Sequence, residues 1–144
     1  MHQNLLSYLI LICFSSSLYA VNDDAILSDK TPKALSEYEF FSDPLNQIPN
    51  SDVVPYELIT ALFSDYTDKH RFVYFPNGTS AKYDGEDVFD FPIGSALIKT
   101  FSYQTIQGGL LLLETRLLLN KEDGWDALTY VWDIDRGDAF LALG

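Results

Sequence analysis

Few side chains in this sequence could do chemistry, and each has a plain structural reading beside it. His70 lies in Asp68-Lys69-His70-Arg71. A histidine base needs a nucleophile and a partner that orients it. No serine of the chain stands in a G-x-S-x-G frame, so His70 is expected in a solvated turn ahead of a strand. The run Asp133-Ile134-Asp135-Arg136-Gly137-Asp138 alternates carboxylates and carries a glycine, as calcium loops do. It lacks the spacing and the terminal Glu of an EF-hand, and Asp and Gly are turn formers in their own right, so a hairpin turn is the better expectation. Asp84, Glu86, Asp87 and Asp90 are first a solvated hairpin and second a cation site. On these grounds no residue is assigned a catalytic, cofactor-binding or metal-ligating role.

A second group points to contact rather than catalysis. Glu114 and Arg116 alternate along one strand face, and Lys99 is placed on a neighbouring strand. Such a row is ordinarily an exposed cross-strand ion network of modest energy; buried, it would be a site. Trp125, Tyr130 and Trp132 could line a groove for a sugar or an aromatic ligand, or fill a core, and Trp125 and Trp132 differ in strand parity. Glu114, Arg116, Lys99, Trp125 and Trp132 together form the candidate interaction face.

The elements that must position these residues follow from composition and period. The chain has 144 residues, a net charge of −12, ten Phe, nine Tyr and two Trp, which suits one domain rich in strands. That acidity disfavours nucleic acids, whose phosphates need neutralising cations, and anionic lipid surfaces. Thr31-Pro32 is expected to open a short helix, with Leu35, Tyr38 and Phe41 inward and Asp43-Pro44 ending it. A loop follows over 46–55, and 54–66 holds a helical turn or two. Strands are then expected over 71–75, 96–103, 110–120 and 125–132. Asp84-Gly85 and Lys121-Glu122-Asp123-Gly124 are hairpin connections. On strand 110–120 the alternation puts Leu111, Leu113, Leu117 and Leu119 on one face. The final apolar run, 139–143, implies a chain that continues or an edge paired elsewhere. The fold class is mainly β: an antiparallel meander, as a sandwich or a curved open sheet, with a short N-terminal helical part.

Residues 5–14 are almost wholly apolar and lead through three serines to Leu18-Tyr19-Ala20. This pattern fits a secretory signal peptide over 1–20, cut after Ala20, and the run is too short to span a bilayer. Residues 21–30 would then be a flexible polar leader and 31–144 the β-rich domain, with no transmembrane helix and a periplasmic or extracellular location. Cleavage removes Cys13, the sole cysteine. That leaves no disulfide, no thiolate site and no C-x-x-C-H for covalent haem.

Several stretches together resemble a known family: Val54-Pro55-Tyr56-Glu57-Leu58 running into Leu62-Phe63-Ser64-Asp65-Tyr66, Lys69-His70-Arg71-Phe72-Val73, Phe91-Pro92-Ile93-Gly94-Ser95 running to Phe101, and Leu113-Glu114-Thr115-Arg116-Leu117 followed by Asp123-Gly124-Trp125 and Tyr130-Val131-Trp132. The family is one of exported proteins of unknown function, described as repeat proteins, some members as diheme c-type cytochromes. The resemblance covers 31 to about 143 and concerns the N-terminal β-rich part only. It implies c-type haem in a later segment of longer members, and none in this chain. The expected function is therefore a non-catalytic extracytoplasmic β-domain that packs against a haem-bearing segment or a redox protein. The alternative is a periplasmic ligand-binding or enzymatic domain using the aromatic and carboxylate residues of the sheet.

Overall fold

The structure, a computed structural model, describes residues 20–60, 66–83, 85–86 and 88–142. Most of the expected signal segment (residues 1–19, with Cys13), the turn residues Asp84 and Asp87, and the part of the expected helical turns over 61–65 lie outside the described residues. Strands dominate, as the aromatic and β-branched content requires. They are β1 Phe41–Asp43, β2 Ile48–Pro49, β3 Val53–Pro55, β4 Asp68–Tyr74, β5 Ala96–Gln104, β6 Leu110–Lys121, β7 Gly124–Asp133 and β8 Asp138–Leu141. β1 and β2 pair with each other, and β3 to β8 form a six-stranded antiparallel sheet in strict chain order. Of the two expected architectures, this is the open sheet. Its meander follows from short, turn-rich connections, as in the Glu122-Asp123 hairpin that leaves Lys121 opposite Gly124. The edge strand β8 is covered: Leu141 donates its N–H to the Lys33 carbonyl, and Ala34 bridges to Phe140. Phe140 and Leu141 of the apolar run thus meet residues 33–34.

The segment 21–30 is not a loose leader. It forms helix α1, Asp23–Leu27, capped by the Asn22 side chain, which accepts the Ala25 N–H at 3.2 Å. Val21 and Ile26 enter the core, Ile26 with no exposure at all. The Tyr74 hydroxyl donates to Asp23 at 2.7 Å and Lys121 Nζ to the Ser28 carbonyl at 2.7 Å, so both ends of the segment are pinned to the sheet. Of the four apolar residues in this segment only Val21 and Ile26 are buried, which gives no readable period, and tertiary contacts make the helix.

The helix expected from Thr31-Pro32 is shorter and later. It is a single 3-10 turn, Leu35–Tyr38, stapled to the sheet where the Asp138 carboxylate accepts from the Ser36 N–H and hydroxyl. Leu35 and Tyr38 are buried as expected, whereas Phe41 has moved into β1 and meets Phe72 edge-on. Residues 46–55, expected as a loop, contain β2 and β3. Residues 56–60 are not helical.

α1, the 3-10 turn and the β1–β2 ribbon cover one face of the large sheet. Phe72, Tyr74, Ala96, Ile98, Leu112, Leu117, Leu119, Tyr130 and Trp132 supply that face of the core. The expected set of leucines on β6 is half right. Leu117 and Leu119 are buried, but so is Leu112, while Leu111 is exposed. The register explains it: Ser102 pairs with Leu112 but Phe101 with Glu114, so Leu113 is an extra residue, a β-bulge. A bulge switches which parity faces inward.

Gly94 sets the return of the long 76–93 connection. Its φ of +89° favours glycine, and a Cβ there would lie 2.8 Å from Pro76 Cγ. Asn120 Nδ2 donates to the Phe91 and Pro92 carbonyls, tying this connection across the uncovered face of the sheet.

Candidate binding face

Alternation along the paired strands β3 to β8 sorts the other, outer face into rows. One row is apolar: Val54 pairs with Val73, Val73 with Leu97, Leu97 with Leu118 and Leu118 with Ala127. The next row is cationic: Arg71 pairs with Lys99 and Lys99 with Arg116, ending at Thr129. The third runs Lys69, Phe101, Glu114, Val131 and Phe140. Lys69, Arg71, Lys99 and Arg116 are four of the chain's nine basic residues, gathered on one patch of a protein with net charge −12.

Like charges directly across strands are destabilising, and Arg71, Lys99 and Arg116 are compensated unequally among the described residues. Arg116 is held by Glu114, with Nε at 2.7 Å and Nη2 at 2.6 Å both donating to the one oxygen Oε1. The Arg71 side chain is 6% exposed, yet its ion-pair partner among the described residues is Glu57, at 4.0 Å and 86% exposed. Arg71 Nη1 also donates to the Lys69 carbonyl. Phe101 takes up part of the charge, with Lys99 Nζ 4.7 Å and the Arg116 guanidinium 4.9 Å from its ring centre. Burial, then the positive charges of Arg71, Lys69 and Arg116, hold the Lys99 ammonium below the usual lysine range.

Two hollows open on this face. One, about 310 Å³, is lined by Tyr56, Leu97, Lys99, Arg116, Leu118 and Thr129 among others. The second, about 400 Å³, lies between Val73, Phe75 and Leu97 of the sheet side and Ala81, Phe89 and Phe91 of the 76–93 connection. Tyr56 and Leu97 line both. Phe91 roofs this end, stacked on Phe75 at 5.8 Å and edge-on to Trp125 at 5.6 Å.

Of the expected interaction face, Glu114, Arg116 and Lys99 do come together, with Lys99 opposite Arg116. They form a cation-rich cluster rather than a balanced ion network. Trp125 borders the same face under Phe91. Trp132 does not belong to it: its indole is buried on the opposite face and donates to Thr115 Oγ1 at 3.0 Å. The parity difference between the two tryptophans is what separates them. Arg71, Phe101, Tyr56 and Leu97 were missed. Lys69, Arg71 and Val73 share a parity that the sequence displays, but nothing in one strand tells which residues of the next lie opposite.

His70 is not in a solvated turn. It lies within β4, and its Nε2 is 2.9 Å from Ser102 Oγ. Ser102 has no exposed surface, so this pair presents no nucleophile to a substrate. The Asp133–Asp138 segment closes the β7–β8 hairpin, Asp133 accepting from the Arg136 N–H and Asp138 holding Ser36. Among the described residues no three His, Cys, Asp or Glu side chains gather as a metal-binding group, and no helix is long and apolar enough to cross a membrane.

The fold and face define an open antiparallel meander packed on one side and left as a cation-and-aromatic surface on the other. No protein-family model, curated protein or solved structure matches the chain.

Proposed function

We propose that this chain is a non-catalytic, extracytoplasmic binding domain whose outer sheet face is the contact surface. The observation that carries the reading is the in-register row Arg71–Lys99–Arg116, set beside an apolar row in an otherwise acidic chain. A fold selected for stability alone would not align like charges on adjacent strands. A partner that brings negative charge relieves the repulsion and gains from desolvated cations. Export rests on the apolar run ahead of Ala20. A haem-bearing segment or redox protein is the partner implied by the family resemblance; its carboxylates would meet the cationic row. An enzymatic use of the sheet is the weaker reading, because the His70–Ser102 pair is turned into the core.

The test is site-specific photo-crosslinking in the producing cell. A crosslinker at Leu118, on the outer face, should give discrete adducts. The same group at Glu122, in the exposed β6–β7 hairpin, should give none. Equal yields from the two positions would overturn the proposal.

A further inference from the structure

We propose that the two adjoining hollows of the outer face bind a small amphipathic anion, with its anionic head at Lys99 and Arg116 and its apolar body along Leu97 toward Phe89 and Phe91. This rests on the reading of the outer face as a binding surface and names the ligand class that the face selects.

Three independent features converge. First, the hollows differ in chemistry and adjoin: one is walled by hydrocarbon and aromatic groups, the other carries Lys99 and Arg116, and Tyr56 and Leu97 line both. Each lies in the roughly 300–1,000 Å³ range of small-ligand pockets. Second, the geometry sets a molecular length. Leu97 and Lys99 are two residues apart on β5, about 7 Å at strand rise, so head and body of the ligand are separated by a few carbon–carbon bonds. Across the strands, Lys99 and Arg116 are directly paired, one interstrand spacing or about 5 Å apart, so one oxyanion group can be met from two sides. Third, Arg71 is a nearly buried guanidinium whose ion-pair partner among the described residues is distant and solvent-facing. Arg71 lines neither hollow, but it stands in register beside Lys99, so its charge adds to the positive potential that an anion at Lys99 and Arg116 meets. The depressed Lys99 pKa has the same origin, burial and then neighbouring cations, and a bound anion would reverse it.

The ligand is small rather than a bilayer surface. The apolar hollow is roofed by the 76–93 connection, where Phe91 stacks on Phe75, and the chain as a whole is strongly acidic, which repels anionic membranes.

The experiment is isothermal titration of the mature domain with three probes: decanoate, acetate and decyltrimethylammonium. Decanoate should bind saturably at one site, with acetate and the cationic amphiphile at least tenfold weaker. The double variant Lys99→Gln, Arg116→Gln should weaken decanoate at least tenfold while its thermal melt stays within a few degrees of wild type. Leu97→Gln, on the body side, should weaken decanoate without changing the response to acetate. Absence of saturable decanoate binding, equal binding of all three probes, or an unchanged affinity in the double variant would each overturn the proposal. So would retention on phosphatidylglycerol vesicles without binding of free decanoate. Crosslinking from Leu118 without decanoate binding would sink the ligand class and leave the binding face standing; loss of both would sink the two together.

Discussion

The two faces of the six-stranded sheet are built from the same strands but solve different problems. On the inner face, polar atoms are matched in series. Trp132 donates to Thr115, and the Thr115 and Thr100 hydroxyls lie 2.7 Å apart on neighbouring strands. Tyr130 donates to the Pro32 carbonyl at 2.9 Å, so its oxygen receives the Tyr38 proton at 3.0 Å. Rings of Tyr38, Phe40, Tyr74 and Tyr130 fill the space between, with centroids 5.2 to 6.5 Å apart. On the outer face, charges of one sign stand in register and hollows remain open. The inner face is arranged for stability. The outer face holds an arrangement that stability alone does not favour, which is the difference on which the proposed binding role rests.

The largest break in this comparison comes from charging the inner face. Leu117 is 1% exposed, and Leu117→Asp would bury a carboxylate with no partner, at a cost of more than about 4 kcal/mol. The expected result is a chain without a cooperative urea transition. A folded Leu117→Asp variant would mean that the packed side of β6 has been misassigned.

Next in size is Thr115→Val, which preserves shape and removes the hydroxyl. It orphans the Trp132 indole N–H and the Thr100 hydroxyl in the core, so a loss of about 1–3 kcal/mol is expected from urea melts. The same measurement on Thr129→Val, on the outer face at the end of the cationic row, should give a change within about 0.5 kcal/mol.

A smaller effect distinguishes the faces by pH. Burial, followed by the hydrogen bond and charge of Tyr130, raises the Tyr38 pKa, and burial with the Asp23 bond raises that of Tyr74. In the unfolded chain these phenols ionise near about 10. Their contribution is therefore complete below that pH and is lost as pH rises above it. Urea midpoints should fall between pH 9 and 11, and Tyr38→Phe should flatten that fall. A midpoint independent of pH over this interval would contradict the closed tyrosine cluster.

The inner face was the more legible in the sequence, and for a local reason. Leu117 and Leu119 declare their side by alternation, and the hairpin at Lys121-Glu122-Asp123-Gly124 declares the pairing of β6 with β7. The outer cluster depends on register between strands. The extra residue at Leu113 shifts that register, placing Arg116 opposite Lys99 where an unbroken hairpin would place Thr115. The bulge thus makes both the error in the leucine set and the row of cations. Helix α1 was hidden because its stability comes from Val21, Ile26 and the Tyr74 and Lys121 bonds to distant strands, none of which is a local signal.

The smallest expected effect is the most informative about the outer face. Arg116 is over half exposed and paired with Glu114 on its own strand, so Arg116→Ala should cost less than about 1 kcal/mol. Lys99 is different: it has no carboxylate among its causes of shift, only burial and three positive neighbours, and all of them lower its pKa. A lysine whose pKa is depressed in the folded state opposes folding while it is charged. Stability should therefore rise with pH from the folded pKa toward the unfolded value near about 10.4. Lys99→Gln removes that burden and keeps most of the stem that packs on Phe101. Its urea midpoint at pH 7 should equal or slightly exceed that of the wild type, while Arg116→Ala falls slightly below. If Lys99→Gln is instead the more damaging of the two, Lys99 is paired in the folded protein and the row is a structural ion network. If it is neutral or stabilising, the lysine is retained at a cost to the fold, as expected of a residue whose partner arrives from outside the chain.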